Sequence, residues 1–236
     1  MPEPRTVRAW LRRLRQRLTR TRFDAALTGH PWRTPRPVSR VFGFDRGTPI
    51  DRVYIERFLA AHAADITGAV LEVGDATYTT RFGQGVTRSD VLQHREYASA
   101  GAIAADLMDA PELTGPYQCI IATQTLQHLP DPTRAVATLH RLLAPGGVAL
   151  ITVSGLSPIS RFDADRWGDY WRFTSQSLAL VLRSVFPAHH ITIAACGSAW
   201  TVVAAAQGLA AEELRPGEID WRDQDFELLL TARVMK

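Results

Sequence analysis

The chain has 236 residues, 46% of them apolar, enough for one α/β domain with a full core and modest extensions. Its formal charge of +3 is an uneven average: residues 1–22 hold eight Arg against one Glu, leaving −4 for the remainder. That excludes a basic body made for nucleic acid, and no apolar run is long enough to span a membrane.

Val7, Trp10, Leu11, Leu14 and Leu18 recur at helical spacing among the arginines, so residues 1–22 read as a basic amphipathic helix. Such a helix suits either a solvated face packed on the domain or peripheral contact with an anionic membrane or a partner. It lacks the apolar core and cleavage site of a signal peptide, and Cys119 and Cys196 both sit in apolar runs that suit packing. The expected compartment is the cytoplasm.

Residues 23–65 read as a connector followed by a cap helix. The connector is rich in proline and glycine, and the helix starts with Thr48 as N-cap and Pro49 in the first turn. Ile50, Tyr54, Phe58 and Leu59 are its inward face. Asp45 and Arg46, just ahead, are expected either to pair on the surface or to face substrate from a lid. Residues 66–236 form the main domain. Ala69 to Val73, bounded by glycines, is a buried strand that carries Glu72 and turns at Gly74, where a missing side chain lets a ligand approach. Thr77 to Gly85 is polar enough to be a loop with at most a helical turn.

Asp90, expected just past a second strand, is placed to bind ribose hydroxyls. Asp106 and Leu107, at the end of a third strand, suit an adenine amino group and face; a helix cap or solvated turn is the other reading of Asp106. A fourth strand, Tyr117 to Thr123, leads into Gln124-Thr-Leu-Gln-His-Leu-Pro-Asp-Pro132, a helix over 133–143 and the turn Ala144-Pro-Gly-Gly147 before a fifth strand. Ser160 to Thr174 then sets five aromatics beside six charges, the composition of a substrate loop at the carboxyl edge of a parallel sheet. A helix over 175–185, strands over 190–196 and 226–234, and an intervening helix from Ala199 to Leu214 complete the chain. That last helix is expected to wall the pocket or make a homodimer contact.

Leu71-Glu72-Val73-Gly74 resembles the first motif of the class I S-adenosylmethionine-dependent methyltransferases. Ala76 and Tyr78 replace two of the usual loop glycines. The resemblance runs from about residue 66 to 154 and is strongest at Leu126, His128 and Leu143-Ala-Pro-Gly-Gly147. It implies a single doubly wound, mostly parallel seven-stranded Rossmann-like sheet with the last strand antiparallel. It implies S-adenosyl-L-methionine as cofactor, with Glu72 and Gly74 near its amino-acid tail and Thr123 and Gln124 beneath the sulfonium. The expected activity is methyl transfer, chiefly to oxygen, on a small-molecule acceptor such as a sugar, glycan intermediate or secondary metabolite. The alternative keeps the fold without methyl transfer, as a cyclase or binding module.

An alcohol acceptor must lose a proton. His128, directly after the fourth strand, is the first choice of base, since imidazole titrates near neutrality, although a structural ring bonded to backbone is the competing reading. Asp169 is the second choice. Trp167, Tyr170 and Arg172 are expected to touch substrate, Arg172 as a planar fork for oxygen-rich groups. No His/Cys cluster has zinc spacing, Gly155-Leu-Ser-Pro lacks a hydrolase elbow, and residues 74–79 would block the pyrophosphate of a nicotinamide cofactor.

Overall fold

The computed structural model describes residues 35–236. The chain divides into a unit ending at Val38 and a unit spanning Ser39–Lys236, so the expected helix over 1–22 lies outside the described residues. The larger unit is organised around β1 (Gly68–Val73), whose Val70, Leu71 and Glu72 are buried. A strand apolar on both faces must be covered on both, which only a central parallel position provides. β1 accordingly pairs in parallel with β2 (Val86–Gln93) on one side and β4 (Tyr117–Thr123) on the other.

β2 pairs with the two-residue β3 (Ile103–Ala104), and β4 with β5 (Leu143–Ser154). β7 (Leu229–Met235) is inserted antiparallel between β5 and β6 (Ile191–Cys196). The order β3-β2-β1-β4-β5-β7-β6 is the expected seven-stranded, mostly parallel sheet with its last strand antiparallel. Strand order reverses between β1 and β4, and the crevice beyond their carboxyl ends is where such sheets hold ligands.

Helices cover the faces. α1 (Ile50–Ala61) buries Ile50, Tyr54, Ile55 and Leu59. Thr48 is not its cap: Pro49 occupies that position, and the Thr48 N–H and hydroxyl both donate to Glu212. The segment expected as a loop is instead α2 (Thr77–Phe82). Its first turn has no capping side chain of its own, and Glu72 supplies one from β1, accepting the Tyr78 N–H at 3.0 Å and the Thr79 N–H at 2.7 Å. A buried carboxylate thus satisfies amides that a lone short helix leaves open, which polar composition alone does not reveal.

α3 (Pro132–Leu142) starts with proline at its first position, capped by the Asp131 carboxylate, and buries Ala135, Val136, Leu139 and Leu142. α4 (Arg161–Ala164) is one turn in the aromatic loop. α5 (Ser175–Leu182) and α6 (Ala199–Gln207) each open with a reciprocal capping box and are shorter than expected. Gly208, at φ 72°, ends α6. Both cysteines are buried and free.

A two-chambered candidate active site

Two cavities open at the carboxyl edge of the sheet. The first, about 270 Å³, is walled by Val73 and Gly74 after β1, Gln93 and His94 after β2, Asp106 and Leu107 after β3, and Thr123 and Gln124 at the end of β4. The second, about 480 Å³, is walled by the segment from Arg40 to Arg52 and by residues 157–172, with Gln127, Ser154, Ala205 and Leu228 deeper in. Gln124, His128 and Asp163 line both, so the chambers meet at these three side chains.

Gly74 holds φ +105°, and a Cβ there would meet nothing within 4 Å, so the backbone faces open space at the chamber wall. Glu72 does not line either chamber; both its oxygens are spent on α2, and burial pushes its carboxyl up despite the Thr79 and Tyr78 hydrogen bonds. It shapes the Gly74 loop by anchoring the helix that follows.

Asp90 is displaced from its expected place. β2 runs on to Gln93, leaving Asp90 in mid-strand opposite Leu71. There it accepts the Tyr117 hydroxyl at 2.7 Å and pairs with Arg88. Burial, together with this carboxylate, pushes the Tyr117 phenol up to about 12. The position at the strand end belongs to Gln93, whose amide donates to the Gly74 carbonyl at 2.6 Å and accepts from Ser99. Asp106, Leu107, Thr123 and Gln124 do line the first chamber. The Asp106 carboxylate also accepts the Met108 N–H at 2.8 Å, so the turn reading of this residue holds alongside its place on the wall.

His128 sits at the junction. Its Nδ1 is 2.9 Å from the Gly168 carbonyl, a contact that assigns the proton to Nδ1 and leaves the lone pair on Nε2. Nε2 lies 3.7 Å from Asp163 Oδ2, which also accepts the Ser160 hydroxyl at 2.5 Å. Asp163 was hidden in the sequence among the loop's three aspartates, and the short turn of α4 is what aims it inward.

Asp169 and Arg172 line the second chamber but are consumed by each other. The Asp169 side chain is 1% exposed and accepts from Arg172 Nη1 at 2.5 Å, Arg172 Nη2 at 2.8 Å and the Ser160 N–H at 2.9 Å. Burial pushes the carboxyl up, but Arg172, the Ser160 N–H and the His128 charge outweigh it and hold Asp169 below the usual carboxylate range. Such a carboxylate is a poor base. Arg172 gives its remaining donors to the carbonyls of Ser157, Pro158 and Trp171, so all five are in use. The expected base and substrate clamp are instead the clasp of the loop.

Trp167 lines the first chamber rather than the second, edge-on to Tyr97 at 5.4 Å. Tyr170 is 55% exposed and lines neither; its N–H ties the loop to the Gln127 carbonyl. Asp45 accepts the Ser39 hydroxyl, and Arg46 forms a two-pronged pair with Glu213. Neither reaches a chamber, while their neighbours Arg40, Phe42, Phe44, Asp51 and Arg52 do. The segment expected to carry a lid thus lines the second chamber, but through residues other than the two singled out. α6 reaches the second chamber through Ala205. Among the described residues no cluster of His, Cys, Asp and Glu could hold a metal ion, and no helix is long and apolar enough to cross a membrane.

A family model described as a methyltransferase domain matches residues 36–203. The ubiquinone biosynthesis O-methyltransferase of Pseudomonas aeruginosa strain UCBPP-PA14 is 27% identical over 100 residues, 42% of this chain and 39% of the relative. The chain thus matches about two fifths of the length of such curated relatives. Among solved structures, the N-methyltransferase NodS from Bradyrhizobium japonicum WM9, bound to S-adenosylhomocysteine, is 15% identical, with 84% of this chain and 96% of that one covered and a TM-score of 0.49. An S-adenosylmethionine-dependent methyltransferase from Mesorhizobium loti is 18% identical, with 79% and 98% covered and a TM-score of 0.47.

Proposed function

This chain belongs to the methyltransferase family, in its class I S-adenosylmethionine-dependent group, and from that premise we propose that it methylates a hydroxyl of a small-molecule acceptor. The observation that carries the reading is the meeting of two chambers at Gln124, His128 and Asp163. One chamber would take the cofactor: Gly74 would offer bare backbone to its tail, Asp106 and Leu107 would meet its adenine, and Thr123 and Gln124 would lie beneath the sulfonium. Its ribose would meet Gln93 and His94 in place of a carboxylate.

S-adenosylmethionine supplies an activated methyl group. The chain's own task is to hold an acceptor oxygen in line with that methyl, to exclude water and to take a proton. His128 Nε2 accepts the hydroxyl proton, and its Nδ1–H stays on the Gly168 carbonyl. The Asp163 carboxylate, 3.7 Å from Nε2, offsets the positive charge that the ring then gains. Trp167 and Phe162 flank the junction and restrict water.

The missing carboxylate at the end of β2 favours one alternative, a methyltransferase-fold protein that binds cofactor without transferring its methyl. Titration calorimetry with S-adenosylmethionine, followed by methyl transfer in wild type and His128→Gln, separates the two. The expected result is binding in both proteins and turnover lowered about a hundred- to ten-thousandfold in the variant. Binding with no transfer to any hydroxylated acceptor supports the alternative; absence of binding contradicts both.

A further inference from the structure

Resting on the methyl-transfer reading, the second chamber's own polarity names a class of acceptor. Its floor is a connected set of side chains. Ser154 Oγ donates to Gln124 Oε1 at 2.8 Å, and Gln127 Nε2 donates to the same oxygen at 2.5 Å. This leaves Gln124 Nε2 and Gln127 Oε1 buried and without a partner, although Gln127 is only 2% exposed. Buried amide groups are ordinarily paired, and each one left open is costly unless a ligand completes it. Gln124 also holds φ 49°, a region that residues with a side chain seldom enter. Both residues line the chamber, and an open donor on one with an open acceptor on the other matches a hydroxyl, which both donates and accepts.

The mouth differs. Arg40 and Arg161 line it, and neither guanidinium has a side-chain partner among the described residues. Val41, Phe44 and Phe162 line the same chamber, all at least half exposed. The negative groups on the same walls are not equivalent opponents. Asp169 is bound to Arg172, and Asp163 holds the Ser160 hydroxyl and faces His128. Burial pushes the Asp51 carboxyl up against the opposing charge of Arg52. The charge left to meet a ligand is positive.

We propose that the acceptor is an amphipathic organic anion. Its hydroxyl sits on Gln124 and Gln127 beside His128, its apolar body lies along Val41, Phe44 and Phe162, and its acidic group lies between Arg40 and Arg161.

The test uses the full chain saturated with S-adenosylhomocysteine for binding and with S-adenosylmethionine for turnover. The probes are 4-hydroxycinnamate, 4-hydroxybenzylphosphonate, the neutral 4-hydroxycinnamamide and the cation tyramine, read by thermal shift and by transfer of labelled methyl. At least one acid should stabilise the protein and exceed the amide and the amine by about tenfold or more in kcat/KM, as a charge-assisted contact requires. Which acid leads distinguishes a carboxylate site from a phosphate-like one. The double variant Arg40→Gln/Arg161→Gln should bring the acid-to-amide ratio close to one, while Gln127→Leu should depress acid and amide alike. Equal or better use of the amide or amine, a ratio that survives the double variant, or no response to either acid would overturn the proposal. Failure of S-adenosylhomocysteine itself to stabilise the chain would instead strike the methyl-transfer reading.

Discussion

The smaller chamber takes its walls mostly from the ends of β1, β2, β3 and β4, whereas the larger one is walled by two segments more than a hundred residues apart, 40–52 and 157–172. Strand ends are placed by the ladder, so a residue's position in the chain nearly decides its position in space. Loop walls are placed by whichever side chains lock the loop, and here those are the residues whose chemistry looked most like substrate recognition. Charge density in a loop therefore marks the segment but not the contact. Asp169 and Arg172 are drawn into the fold, whereas Arg40 and Arg161, with no side-chain partner among the described residues, stay open at the chamber wall.

The sharpest way to break this contrast is to open the clasp. Arg172→Leu leaves Asp169 buried without its partner and should cost about 2–4 kcal/mol of stability. Differential calorimetry should show the loss, and acceptor KM should rise far more than cofactor Kd. Equal loss of both would mean that the two chambers share one support. On the strand side, Gly74→Val forces a branched side chain into a positive-φ position at the wall of the smaller chamber. Cofactor affinity should fall about tenfold or more by titration calorimetry, while acceptor-side variants leave it nearly intact.

The same comparison shows what the amino-acid order made legible. Apolar runs located β1, β4 and β5, the first of them bounded by glycines; the Ala-Pro-Gly-Gly turn expected ahead of β5 lies within it, where the register of the β4–β5 pairing shifts. Gly74, Asp106, Thr123, Gln124 and His128 followed because each lies within a few residues of a strand end. Asp90 was misplaced because β2 continues through Arg88-Ser-Asp, which reads as polar; the strand lies next to the short β3, near the sheet's edge, where polar side chains are tolerated. Glu72 looked like a ligand group because nothing local revealed that the next helix lacked a cap. The two segments were expected to face each other, but Arg40, Phe44 and Arg161 were not singled out within them, since only tertiary folding decides which side chains of a loop line the chamber.

A smaller effect separates Asp90 in mid-strand from Gln93 at the end of β2. Asp90→Asn should leave cofactor Kd within about twofold, because its partners are Tyr117 and Arg88, whereas Gln93→Ala should weaken binding by loosening the Gly74 carbonyl. The reverse ranking would restore Asp90 to the ribose. The clasp also has a pH signature. The Asp169 carboxyl is lowered in the folded state, so its contribution is present above the unfolded-state value and is lost as pH falls through the lowered one. Asp169→Asn should therefore flatten the acid limb of a melting-temperature profile, and an unchanged limb would assign the acid sensitivity to other groups. Least of all, Arg46→Gln removes a surface pair with Glu213 and should leave the melting temperature and acceptor KM essentially unchanged.

The central claim is that cofactor and acceptor occupy different chambers that meet at Gln124, His128 and Asp163. A crystal structure of the full chain with S-adenosylhomocysteine tests it most directly. The account predicts adenine against Asp106 and Leu107, the amino-acid tail over Gly74, and the sulfur at the junction with the larger chamber empty of cofactor. Density for the nucleoside between Arg40, Phe44 and Phe162 would contradict it.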